Sequence, residues 1–125
     1  MVIVNNKEYT NYDIVTSWND FSFNFNGHKK ICIAPFITFN IENISIGLEL
    51  TFEDVMFKQL KLNNKVNIKD FIIDILYCND RGWISISNNN FSSFITSINE
   101  DNFRLEITLI SSRINFNIDT IIKLF

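Results

Sequence analysis

Phe21-Ser22-Phe23-Asn24-Phe25-Asn26-Gly27-His28-Lys29-Lys30-Ile31-Cys32-Ile33 is the stretch that decides the class of fold. Phenylalanines alternate with small polar residues up to Asn26-Gly27, and the alternation resumes at Ile31 and Ile33. Successive side chains of a strand point to opposite faces, so a period of two marks a half-buried strand. Asn-Gly tolerates the positive φ that a two-residue turn demands, and the segment therefore predicts two antiparallel strands joined as a hairpin.

The same period continues outward. Pro35 has no N–H to give to a ladder and belongs at an edge, a bulge or a strand start, after which Ile37, Phe39 and Ile41 alternate again. In Ile44-Ser45-Ile46-Gly47-Leu48-Glu49-Leu50-Thr51-Phe52 every even position is apolar and the odd ones are small or polar, which describes a long strand with one wet face. Glu49 and Glu53 project together from that face. Trp83-Ile84-Ser85-Ile86-Ser87 alternates too, and Phe103 to Leu109 and Ile114 to Ile118 form a second hairpin around Ser111-Ser112-Arg113. Residues Val55 to Leu62 fit neither period and are read as a strand with a bulge.

Elsewhere the spacing changes. Ile68, Phe71, Ile72, Ile75 and Leu76 fall on one helical stripe, with Asn67 as N-cap, Asp70 in the first turn and Gly82 as the stop, so a helix is expected over about 67–78. Its outer face would carry Asp70, Asp74 and Tyr77. Phe91, Phe94, Ile95 and Ile98 admit a short helix or a strand, and Asp119 is placed to cap a last helical turn through Ile122 and Phe125. The expected fold is a mainly β, α+β domain spanning 1–125. It is an antiparallel β-sandwich or a curved sheet of about seven strands, with one good helix and one or two short ones.

The 125 residues match the size of one domain, and 46% apolar residues with 13 Phe supply its core; Phe21, Phe23, Phe25 and Phe39 are assigned there. Only 3 Gly and 1 Pro are present, which leaves turns to Asn and Asp. Abundant Ile, Asn, Lys and Phe point to AT-rich codons and a bacterial or phage source. A net charge of −3 argues against nucleic acid as partner, since phosphate binding needs clustered Lys and Arg. No basic segment with a sustained apolar stretch opens the chain and no window is long enough to span a membrane, so a cytoplasmic protein is expected. Cys32 and Cys78 lack the spacing of a metal knuckle or redox motif; a reduced pair is expected, with one long-range disulfide as the alternative.

Catalysis finds little support in these residues. The single histidine, His28, follows the hairpin turn, and Cys32 lies about 13 Å along the strand from it, too far for a dyad. One His and two distant Cys do not close a zinc shell, and Glu49, Glu53 and Asp54 lack the dense loop of a calcium site, so neither metal nor cofactor is expected. Glycine-rich phosphate loops are absent. Trp83 has the parity opposite to Ile84 and Ile86, which places it on an outer face as a contact anchor or beneath a loop. An acidic surface on a scaffold with no chemistry of its own reads as a binding protein.

The layout of Ile68 to Tyr77, then Gly82-Trp83-Ile84-Ser85-Ile86-Ser87, then the paired strands Phe103 to Leu109 and Ile114 to Ile118 before Asp119-Thr120-Ile121-Ile122-Lys123-Leu124-Phe125, resembles small bacterial immunity proteins of contact-dependent and WapA-type polymorphic toxin systems. The resemblance covers roughly residues 20 to 125 as an arrangement of elements and transfers no functional residue. It implies a cytoplasmic protein that binds the C-terminal toxin domain, often a basic nuclease, and blocks its active site; the sequence itself leaves monomer and homodimer both open, since exposed edge strands can pair with a second copy. Glu49, Glu53, Asp54, Asp70 and Asp74 would then face Lys and Arg of the toxin, and Tyr77 or Trp83 would anchor the contact. The competing classes are a small-ligand-binding β-domain, a phage or host regulatory binding protein, and an enzyme with an unrecognised site.

Overall fold

Strands account for nearly all of the regular structure. The computed structural model describes residues 1–53, 62–86, 90–99 and 102–123, of which 18–23, 25, 30–33, 52, 53 and 73 are described through their backbone alone. The strands are β1 (Val2–Val4), β2 (Lys7–Tyr9), β3 (Tyr12–Phe25), β4 (His28–Ile41), β5 (Ile44–Leu50), β6 (Phe52–Glu53), β7 (Lys65–Asn67), β8 (Ile72–Asn79), β9 (Gly82–Ser85), β10 (Phe91–Ser97), β11 (Asn102–Ile110) and β12 (Asn115–Lys123). They form two antiparallel sheets, ordered β2-β1-β12-β11-β10-β7 and β3-β4-β5-β8-β9, with β6 paired to β4.

Alternation assigns the faces. Leu105, Ile107, Phe116 and Ile118 of the first sheet share one buried apolar cluster with Ile37, Phe39, Ile46 and Leu48 of the second. Along β5, Ile46, Leu48 and Leu50 are buried while Glu49 is exposed, as the period of two predicts. The hairpin also forms as predicted: Phe25 pairs with His28, and Asn26 (φ 50°) and Gly27 (φ 76°) occupy the left-handed region that a tight turn needs. Phe39 is fully buried. The core assignments of Phe21, Phe23 and Phe25 lie outside the described side chains.

Pro35 stands within β4, opposite Trp18, and the reason it is tolerated is visible in the ladder. With Phe25↔His28 as the hydrogen-bonded closing pair, alternation makes Pro35↔Trp18 a non-hydrogen-bonded pair, so the proline nitrogen faces away from β3. On that other side β5 pairs up to Phe36↔Glu49 and β6 resumes at Ile33↔Phe52. Proline therefore sits where the neighbouring ladder is interrupted.

The expected helix over 67–78 does not form. Its residues build β7, a 3-10 turn at Lys69–Phe71 and β8, and no α-helix occurs among the described residues. Ile68, Ile72 and Ile75 are β-branched and fit a pleated surface better than a helical one. β8 also lies inside the sheet between β5 and β9, where both backbone edges are paired. A central strand carries apolar residues on both faces, and that pattern coincides here with a helical stripe. Asn67 is the last residue of β7 and not an N-cap, a position held by Ile68 without a side-chain bond; the Asn67 Oδ1 accepts from the Lys69 N–H at 2.9 Å. Asn79-Asp80-Arg81-Gly82 turns the β8–β9 hairpin instead of stopping a helix, with Asn79 Oδ1 accepting from the Arg81 N–H at 2.8 Å and Gly82 at φ 102°.

Two further expectations resolve as strand. Residues 91–97 are β10, whose inward positions include Ser93 and Ser97, and Asp119 lies within β12 and caps nothing. The β11–β12 hairpin matches its expected turn, where Ser111 Oγ donates to the Ile114 carbonyl at 2.6 Å. Most of the ambiguous segment Val55 to Leu62 lies outside the described residues. Cys78 is a free thiol. Its row of the sheet reaches β4 at Asn40, from which Cys32 is about 26 Å further along the strand, so the alternative of a disulfide between them is dismissed. Among the described residues no helix is long and apolar enough to cross a membrane.

Candidate protein-binding face

Register alone collects three of the expected site residues on the outer face of the second sheet. Glu49 of β5 stands directly opposite Asp74 of β8, and in the neighbouring rows Gly47 faces Leu76 and Cys78 faces Trp83 of β9. Phe36 and Thr38 of β4 complete these rows as the partners of Glu49 and Gly47. Alternation turns all of them away from the core, because Leu48, Ile75 and Ile37 between them are buried.

Gly47 shapes the centre of this face. The rings of Phe36 and Trp83 meet edge to face, with centroids 6.1 Å apart and planes at 76°. A Cβ on Gly47 would lie 2.7 Å from Phe36 Cζ and 3.1 Å from Trp83 Cζ3. The missing side chain is the space the two rings use. Trp83 nevertheless remains 47% exposed, and Val15 of β3, in the row of Thr38 and Gly47, is 52% exposed. Exposed Val15 and Trp83 with half-buried Phe36 and Leu76 thus give this face an apolar centre.

Carboxylates border it. Like charges directly opposite one another on antiparallel strands repel, yet among the described residues no cation pairs with Glu49 or Asp74. Asp74 Oδ1 accepts from Ser85 Oγ, at 2.6 Å. The outer face of the first sheet handles its acids differently. There Arg104 binds Asp119 through both oxygens, at 2.8 and 2.6 Å, and lies 3.8 Å from Glu106, which Lys65 approaches at 3.5 Å. The guanidinium holds the Asp119 carboxyl below its ordinary range, and the two carboxylates keep Arg104 firmly protonated. An open depression of about 270 Å³ lies over this network, lined by Lys65, Phe94, Glu106, Thr108, Asn117 and Asp119 among others. Its charges are engaged with one another, and Lys65 Nζ covers the Phe94 ring at 4.5 Å.

The remaining expected site residues do not join the face. Tyr77 pairs in register with Ile46 and Ile84, on the inward parity, and packs half-buried against the core. Asp70 is exposed on the 3-10 turn before β8. Glu53 stands in register opposite Cys32, and Asp54 lies outside the described residues. Phe36 and Gly47 were not anticipated, although a glycine inside an alternating strand is a known sign of close approach. His28 is exposed at the hairpin tip, and among the described residues no group of three His, Cys, Asp or Glu is placed to hold a metal.

The fold and this face together define a mainly β, two-sheet protein that presents an aromatic, acid-bordered surface. No family model, curated protein or solved structure matches the chain.

Proposed function

We propose that this is a non-catalytic binding protein that docks a basic protein partner on the outer face of its second sheet, and that the partner is a toxin domain neutralised by an immunity protein. One observation carries the reading: Glu49 and Asp74 oppose each other with no counter-cation among the described residues, beside the pair formed by exposed Trp83 and half-buried Phe36. Two facing carboxylates on an open strand pair are unfavourable in the free protein, and Lys or Arg from a partner would relieve them. Trp83 supplies the large, rigid anchor that concentrates binding energy at the centre of an interface, and the acids speed encounter and set register around it. The resemblance to immunity proteins in the order of elements supports the choice of a toxin as partner, and the cytoplasm is then the place of action.

Co-expression with the product of the neighbouring reading frame tests the proposal. The neighbour alone should arrest growth, the pair should grow and co-purify, and Trp83→Ala or Glu49→Lys with Asp74→Lys should restore arrest while the variant protein stays folded. A harmless neighbour that is not recovered with this chain refutes the immunity reading.

A further inference from the structure

The depression of about 270 Å³ on the outer face of the first sheet is floored by two adjacent rows of side chains from β10, β11 and β12. Register sets Ser92 opposite Thr108 and Thr108 opposite Asn117 in one row, and Phe94 opposite Glu106 and Glu106 opposite Asp119 in the next. With strands about 4.8 Å apart and same-face residues about 6.8 Å apart along each, the six form a grid of about 10 by 7 Å. One contact there is tight, the grip of Arg104 on Asp119 at 2.8 and 2.6 Å. The others are long: Thr108 Oγ1 is 3.4 Å from Asn117 Oδ1, and Glu106 is 3.5 Å from Lys65 Nζ and 3.8 Å from Arg104 Nε. Good hydrogen bonds between such groups are about 2.5–3.2 Å, so these side chains keep bonding capacity in reserve. All three strands are paired on both sides, which fixes the grid before anything binds.

We infer that this grid binds one neutral pyranose ring, a monosaccharide that is free or ends a glycan. Lys65 and Arg104 balance Glu106 and Asp119, so a ligand with net charge gains nothing from the site and loses its hydration. A ring bearing several hydroxyls, each donor and acceptor at once, suits what stands there. The Glu106 carboxylate accepts, the Asn117 amide does both, Ser92 and Thr108 do both, and Lys65 donates. Phe94 adds an apolar surface for the C–H groups of the ring. Small-molecule sites usually measure about 300–1,000 Å³, so a depression at the bottom of that range has room for one ring and not for a chain of them. The site lies across the core from the Trp83 face and shares no residue with it, so it stands whether or not that face binds a toxin.

The test titrates the whole isotope-labelled chain with glucose, galactose, mannose and N-acetylglucosamine and follows amide shifts by NMR. At least one sugar should give saturable shifts in the millimolar range, centred on Ser92, Phe94, Glu106 and Thr108. Glucosamine and glucuronate, which carry opposite charges, should bind about tenfold more weakly than the best neutral sugar. The methyl glycoside of that sugar separates the two sources: undiminished binding marks a glycan end and lost binding a free sugar, the ring being held in both. Ser92→Ala and Thr108→Val keep the shape of their strands and should each weaken binding about tenfold with the circular dichroism spectrum unchanged, while Trp83→Ala should bind the sugar normally. No saturable shift with any of the four sugars overturns the inference. So does equal or tighter binding of glucosamine or glucuronate, a shift pattern centred on Trp83, or full affinity in the Ser92→Ala, Thr108→Val double variant.

Discussion

Replacing Gly47 with alanine probes the arrangement on which the candidate face depends. The added methyl would lie 2.7 Å from Phe36 Cζ and 3.1 Å from Trp83 Cζ3, well inside the ordinary contact of about 3.5–4.0 Å between carbons. The rings must separate, which forfeits an edge-to-face contact of about 0.5–1.5 kcal/mol and adds overpacking of about 1–3 kcal/mol. Because Phe36 offers only its ring tip and is half-buried, the lower ends apply. Alanine returns about 0.5–1 kcal/mol by restricting the unfolded chain. The net is a destabilisation of about 1 kcal/mol, or about 4 °C in Tm for a domain of this size. Urea denaturation followed by circular dichroism measures it, and Phe36→Leu supplies the control. In that background the ring is gone and the alanine should become neutral or stabilising. A penalty that persists undiminished once Phe36 has been replaced would show that the rings do not set the need for glycine.

Other expectations follow from particular contacts. Ser93 is fully buried and its Oγ has no hydrogen-bond partner among the described residues, so Ser93→Ala should raise the urea midpoint by the equivalent of about 1 kcal/mol; a lowered midpoint would mean the hydroxyl is satisfied. Gly27→Val places a β-branched residue at φ 76° and should cost about 1–2 kcal/mol in thermal unfolding, with refolding intact. Asp119 is held below its ordinary pKa by Arg104. Its carboxylate therefore stabilises the fold fully above the unfolded value near 3.8 and loses that contribution as pH falls through the lower folded value. Asp119→Asn should lower the urea midpoint slightly at pH 7, because the pair is open to solvent, and the difference should shrink as pH falls below 3.8; a loss that does not shrink with pH would contradict the ion-pair account.

Much of the sheet structure was legible because alternation is a local property. Ile44 to Leu50 declared its wet and dry faces, Asn26-Gly27 declared its turn, and Ser111 to Arg113 marked the last hairpin. The helix expected over 67–78 was misread for a physical reason. Ile68, Phe71, Ile72 and Ile75 satisfy helical spacing and also the two-sided apolar pattern of a central strand, and only the pairing of β8 with β5 and β9 decides between them. Of the candidate site, Glu49 and Trp83 could be placed outward from parity within their own strands. Asp74 reached the same face by a different route, as the strand partner of Glu49 and not as a helix residue. The meeting of Phe36 with Trp83 over Gly47 joins residues 47 positions apart in sequence and depends on sheet order, which no local pattern encodes.

Association kinetics of the purified chain with its neighbouring-frame partner test the central claim most directly. Glu49→Lys combined with Asp74→Lys should cut the association rate by about tenfold or more at low salt and remove most of its dependence on ionic strength. An unchanged rate with the same salt dependence would place the contact elsewhere and contradict the assignment of this face.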